Sequence, residues 1–290
     1  MASEEFRKLI AYMAANPMPR LGHAEMREHM KAFGRKARLP DDVQVETRDD
    51  APVPARIFTP TDAQPGMILF AHGGGFTLGS IESHGHVAAW LARMAQRAVL
   101  IFDYRLAPEH PCPAALEDFQ AIYEWTMTQS YPPHRIVLAG DSAGANLSLS
   151  VVVNQLIPPP AAIVALSPSI DLAGYLTLDP DSITDKSVDA GMIAEGFRAY
   201  LGEVSATDPR VSPNYGNLAG LPPTFIQLAE GEVFAPGALG FAERARKAGA
   251  TVEIDIWPEM LHDWHWFVPR LPEAREALQR SGEFIRRHMA

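Results

Sequence analysis

The amino-acid sequence predicts an α/β protein with a mostly parallel central sheet flanked by helices and a helical cap. Short apolar runs, of the kind that form strands buried on both faces, alternate with amphipathic helical segments through most of the 290 residues. One junction is abrupt: the apolar run Ile136 to Ala139 stops at Gly140, Asp141, Ser142, Ala143 and Gly144, and helical texture from Ala145 to Leu156 follows at once. Between about residues 171 and 217 the alternation lapses, which marks an insertion between sheet strands and a natural place for a lid.

Taken in order, Phe6, Leu9, Ile10 and Met13 lie at helical spacing among charges, and Met26 to Phe33 repeats the texture, so two short amphipathic helices are expected. Their apolar faces imply that they cover something. Val43, Val45 and Thr47, then Val53, Ala55 and Ile57, alternate as in two antiparallel strands. Met67 to Ala71 reads as a buried strand, His84 to Gln96 as a helix, Ala98 to Phe102 as a second buried strand, and Ala114 to Met127 as a helix.

After the Gly-rich junction a triple proline at 158–160 separates its helix from the strand Ala162 to Leu166. Tyr175 to Asp185 reads as loop, and Ala190 to Leu201 as a helix with Met192, Ile193, Phe197 and Tyr200 on its apolar side. The sheet pattern resumes with Thr224 to Leu228, the helix Ala238 to Lys247, the strand Val252 to Ile256, and a last helix from Pro272 to His288. This order suits right-handed crossovers in one sheet, hence one domain over 1–290, with a cap from about 1–40 and 171–217.

Composition excludes several classes. The net charge of −10, with 21% charged residues, makes nucleic acid and an anionic membrane surface unexpected partners, whereas an uncharged or cationic small molecule is easily accommodated. The single cysteine, Cys112, cannot form an intrachain disulfide, and between two prolines it reads as a packed side chain. Neither a signal-peptide core nor an 18-residue apolar run is present, so a cytoplasmic location is expected. No cofactor or metal is expected: His84 and His86 lack a carboxylate at ligand spacing. A homodimer is the default assembly.

Two motifs carry chemistry. In a G-x-S-x-G turn the glycines relieve crowding beside the serine, and the turn lifts the hydroxyl out at the strand end, next to a helix N-terminus. Ser142 is then a candidate nucleophile, and the Ala143 N–H a candidate donor to a developing oxyanion. Asp141 beside it has a tuning or a turn-stabilising role. The second motif, His72, Gly73, Gly74, Gly75 and Phe76, directly follows a buried strand, and its glycines leave backbone N–H groups uncovered for a substrate oxygen. Gly73, Gly74 and Gly75 are therefore candidate oxyanion donors. Ser142 needs a base at neutral pH, and two of the ten histidines, His262 and His265, fall between the last strand and the last helix.

With those residues in view, the chain resembles the hormone-sensitive-lipase-like family of bacterial esterases within the α/β-hydrolase fold. The likeness rests on His72 to Phe76, Asp103 to Pro111, Gly140 to Gly144 and Asp208 to Pro213. It implies cofactor-free hydrolysis of carboxylic esters and a triad in the order serine, acid, histidine. It selects His262, in a loop that begins Pro258, Glu259, Met260, Leu261, and leaves His265 as a packed or surface residue. It implies that His72, Tyr104, Arg105 and Glu109 hold loops in place.

The sequence departs from the family at the acid, where an aspartate is usual. The corresponding position is Glu232, with Glu230 as the alternative and loss of the acid as a third. Met192, Phe197 and Tyr200 are candidates for an acyl pocket, although a helix packing on its neighbours shows the same stripe. Short- to medium-chain esters are the expected substrates. Lactones, acetyl esters and arylamides remain open, as does a hydrolase-like protein that only binds a small ligand.

Overall fold

In a computed structural model, residues 2–16, 21–179, 185 and 188–289 are described. Eight strands form one sheet in the order β1-β2-β4-β3-β5-β6-β7-β8: β1 Val43–Arg48, β2 Ala55–Pro60, β3 Met67–Ala71, β4 Ala98–Phe102, β5 Ile136–Asp141, β6 Ala162–Leu166, β7 Thr224–Ala229 and β8 Val252–Trp257. β1 and β2 are antiparallel to each other, β2 is antiparallel to β4, and the remaining pairs are parallel.

The apolar runs are continuous because both faces of the inner strands are covered. Ile68, Phe70, Val137, Ala139 and Val164 point to one side, against α3 (Ile81–Ala95) and α9 (Pro272–His288). Their neighbours Leu69, Ala71 and Leu138 point to the other, against α4 (Ala114–Thr128) and α5 (Ser142–Val153). Ile163, Ala165, Ile226 and Leu228 extend that second face under α8 (Ala235–Lys247). Alternate residues of a pleated strand must face opposite sides, so each run fills two cores at once.

The registers Ala71↔Gly140, Asp141↔Leu166 and Ala229↔Trp257 bring the carboxyl ends of β3, β5, β6, β7 and β8 to one rim of the sheet. That rim is where an open parallel sheet leaves room for a ligand.

Several boundaries shift from the sequence expectation for local reasons. α3 starts at Ile81 rather than His84, because Ser80 and Ser83 form a reciprocal capping box. α5 starts at Ser142 itself rather than Ala145. α8 starts at Ala235, with a proline in its first turn where the missing N–H costs nothing. Tyr175 lies in a short helix, α6 (Leu172–Leu176), rather than in loop, since the Asp171 carboxylate accepts the Gly174 N–H at 2.7 Å. Residues 180–184 of that expected loop lie outside the described residues.

Three further helices meet near the rim. α1 (Glu4–Ala15) buries Phe6 on the α3 and α9 side. α2 (His23–Gly34) sits so close to α3 that a Cβ on Gly34 would lie 2.1 Å from the Glu82 carbonyl oxygen. Its Arg27 donates to the carbonyls of Thr77 and Ala107, both at 2.8 Å, and pairs with Glu109. α7 (Ala190–Leu201) lies against the glycine loop, where a Cβ on Gly196 would stand 3.1 Å from the Gly75 carbonyl. Among the described residues, no helix is long and apolar enough to cross a membrane.

Candidate active site

The turn from β5 into α5 sets Ser142 at φ 48°, in the left-handed region that non-glycine residues seldom occupy. Two close backbone approaches force it there. A Cβ on Gly144 would stand 1.9 Å from the Ala71 carbonyl oxygen, and one on Gly140 would stand 2.5 Å from the Gly144 carbonyl carbon. Both glycines of the motif are therefore required by contact.

Asp141 occupies the N-cap position of α5 yet makes no side-chain cap. Its carboxylate reaches across to β3 instead, accepting the Gly73 N–H at 2.9 Å and meeting His84 Nε2 at 3.2 Å. The first N–H groups of α5, Ala143 among them, keep the orphan character of a helix start.

That bond corrects one expectation about the glycine loop. Gly73 spends its N–H on Asp141 and has none to offer a substrate oxygen. Gly74 and Gly75 adopt φ 118° and 59°, and neither N–H has a partner among the described residues. A Cβ on Gly75 would meet nothing within 4 Å, so this glycine borders open space. The loop is folded back on itself by the Thr77 and Leu78 N–H groups, which donate to the Gly74 carbonyl.

His72 anchors the start of the loop: its Nδ1 is 2.9 Å from the Gly73 carbonyl, its ring stacks on Tyr104, and the Tyr104 hydroxyl donates to its backbone carbonyl at 2.7 Å. Burial, assisted by neighbouring His84, pushes its pKa down to about 3, so it stays neutral. Arg105 pairs with Asp118 and Glu117 and ties the Asp103–Pro111 stretch to α4. His86 Nε2 lies 2.7 Å from the Trp266 carbonyl, and His84 Nε2 lies 3.2 Å from Asp141.

On the opposite side, the loop after β8 delivers His262. Its Nε2 lies 3.0 Å from Ser142 Oγ and its Nδ1 lies 3.0 Å from Glu232 Oε2. Glu232 enters from the turn between β7 and α8, where the Ala235 N–H donates to its backbone carbonyl. It is 3% exposed; burial raises its pKa, and the His262 imidazole opposes that rise. Glu230 is exposed at the surface, two residues away.

His265 is buried on Trp264, with Nε2 3.1 Å from Gln227 Oε1, and burial drives its pKa down to about 3. Burial also disfavours the charged form of His262. There the Asp263 carboxylate, the Glu232 bond and charge, and Asp185 together outweigh it and lift the pKa to about 9.

An aromatic layer borders the histidine. Phe234 meets the His262 ring edge-on at 4.9 Å, and behind it stand Tyr175 and Phe197. Of the three residues expected to line a pocket from α7, Met192 is half-buried. Phe197 and Tyr200 are each 1% exposed, the latter stacked on Phe76 at 3.8 Å, so both back the wall rather than form its surface. Phe234 and Tyr175 leave no signal in the sequence because neither belongs to a periodic stripe, although Phe234 stands only two residues beyond Glu232.

A family model described as the alpha/beta hydrolase fold matches residues 68–266. An acetyl-hydrolase of Streptomyces hygroscopicus is 37% identical, the match covering 99% of this chain and 97% of that protein. Among solved structures, an esterase from the bacterial hormone-sensitive lipase family superposes with a TM-score of 0.91 at 34% identity, covering 100% of both chains. The esterase EstE5, in a crystal soaked with p-nitrophenyl butyrate, gives 0.91 at 36% identity over 99% of each.

Proposed function

The chain belongs to the α/β-hydrolase-fold family, among its hormone-sensitive-lipase-like bacterial esterases, and from the resulting carboxylic ester hydrolase activity we propose a Ser142, Glu232, His262 triad acting on short- to medium-chain acyl esters. The observation that carries the triad is the continuous chain from Glu232 Oε2 through both ring nitrogens of His262 to Ser142 Oγ, with 3.0 Å at each contact. Such a chain lets the imidazole hold its Nδ1 proton on the acid while Nε2 takes the serine proton.

In the proposed cycle His262 removes the Ser142 proton as the hydroxyl attacks the ester carbonyl. The N–H groups of Gly74, Gly75 and Ala143 stabilise the resulting oxyanion. The bond to the alcohol oxygen breaks as that oxygen takes the proton from His262. Water then adds to the acyl-enzyme by the same route and frees the acid and Ser142. Glu232 keeps the ring in the productive tautomer and balances its charge. α1, α2 and the 171–217 segment are read as the cap.

Two lines favour short acyl chains. Phe234, backed by Phe197 and Tyr175, crowds the space beside His262. One relative bears the name acetyl-hydrolase, and one neighbouring structure was soaked with a butyrate ester. The test is hydrolysis of p-nitrophenyl acetate through decanoate by the wild type and Ser142→Ala. Turnover of the shorter esters by the wild type alone is expected. An alanine variant that matches an active wild type would remove Ser142 from the reaction.

A further inference from the structure

Asp263, directly after the base, carries a carboxylate that the triad does not use. Its Oδ2 lies 3.3 Å from His262 Nε2, the same nitrogen that meets Ser142 Oγ at 3.0 Å. The other oxygen, Oδ1, is buried with no hydrogen-bond partner among the described residues, while the side chain as a whole is 20% exposed. The position is built: Asp263 sits at φ 54°, a region that aspartate tolerates better than most residues, and its N–H donates to Ser167 Oγ at 3.3 Å.

This contact has a proton requirement. With the Nδ1 proton directed at Glu232, the Nε2 of a neutral His262 presents a lone pair. A carboxylate 3.3 Å from that nitrogen favours a proton on Nε2 over the neutral ring. On Nε2 that proton occupies the place the Ser142 proton has to reach. The base is blocked until that proton is lost.

We propose that Asp263 is a positioning residue whose carboxylate holds a proton on His262 Nε2 and thereby sets the acid limb of the pH–rate profile, keeping the esterase in a proton-blocked resting state that opens as pH rises. The proposal rests on the Ser142, His262 and Glu232 assignment. The ionisable groups around the pair act in one direction. Glu232 faces Nδ1, Asp185 acts on the ring from the 171–217 segment, and Asp141 at the elbow acts on Asp263. His265 is held neutral by burial. Among the described residues, the charged groups named here are acids, and each favours keeping that proton.

The sign follows. Activity needs the unprotonated imidazole, and a nearby anion favours the protonated one. Removing the Asp263 charge lowers the His262 pKa and carries activity to more acidic pH. An opposite charge within hydrogen-bonding range is worth about 1–3 units.

The experiment is kcat/KM for p-nitrophenyl acetate against pH, from about 5 to about 10, for the wild type, Asp263→Asn, Asp263→Ala and Asp263→Glu, with Ser142→Ala as control; that window spans the proposed limb. The acid-limb midpoint is expected to fall by about 1–3 units in the Asn and Ala variants and to stay near the wild-type value in the Glu variant. Coincident limbs in the wild type, Asn and Ala variants, with Ser142→Ala inactive, overturn the role of Asp263 and leave the triad standing. A Ser142→Ala protein that still hydrolyses the ester overturns the triad instead. Titration of the His262 ring nitrogens by NMR, with and without Asp263→Ala in the Ser142→Ala background, reads the same shift without turnover. An unmoved His262 pKa there refutes the proposal even if a single-site variant folds poorly.

Discussion

Replacing Glu232 with glutamine keeps the shape of the side chain and removes its charge from a site that is 3% exposed. In the reaction His262 gains a proton while its Nδ1 stays 3.0 Å from Glu232 Oε2. At an effective dielectric of about 20, opposite unit charges at that separation attract by about 5–6 kcal/mol. Lost in full from the transition state, that is about four powers of ten in rate. The amide still accepts a hydrogen bond in one orientation, so the expected fall in kcat for p-nitrophenyl acetate is about 10³- to 10⁴-fold, in the range known for triads deprived of their acid. Glu230→Gln, on the exposed side chain two residues earlier, is expected within about twofold of the wild type, as for an ordinary surface change. Matched thermal melts would show that both variants are folded. A Glu232→Gln enzyme within tenfold of the wild type, or a Glu230→Gln enzyme that loses activity, would refute the assignment of the acid.

Three further outcomes are expected. Gly144→Ala drives a methyl group against the Ala71 carbonyl, where neither backbone can yield, and should cost at least about 3 kcal/mol, read as a large drop in melting temperature and poor recovery of folded protein. Asp141→Ala releases the Gly73 N–H and leaves the Nε2 of His84 without its partner; kcat should fall about 10- to 100-fold with KM little changed, because the loop that presents Gly74 and Gly75 loses its tie to the elbow. Gln227→Leu strips a buried side chain of its bonds to Asp255, the Ala277 carbonyl, His265 and Ser281, and should lower the unfolding free energy by about 2–4 kcal/mol in urea with the m-value unchanged.

What the sequence made legible, and what it hid, divides along a physical line. Buried parallel strands announce themselves because both faces demand apolar residues, so β3 through β7 are readable as runs. Ser142 and the glycine loop are readable because only glycine fits positions that a Cβ would bring within 2–3 Å of backbone, as at Gly140 and Gly144. The resemblance to a family then selected His262 over His265, which no spacing could do.

Features that depend on one side chain reaching another across the fold leave no local trace. Asp141 reads in the sequence as a tuning or a turn-stabilising residue, and its link to Gly73 lies between residues 68 positions apart. Phe234 reaches His262 only after β7 and β8 have paired in register. Glu232 and Glu230 carry the same carboxylate two positions apart, and only the path of the turn buries one and exposes the other.

Asp263 belongs with these. In the sequence it is one more acidic residue in a chain of net charge −10. A buried oxygen and a 3.3 Å contact with the nitrogen that takes the serine proton in the proposed cycle are the grounds for reading it as a constraint on the base. Such a constraint would let this chain keep its family's nucleophile, base and oxyanion loop while moving the pH at which they engage, and the change would lie in a single residue that no catalytic motif includes.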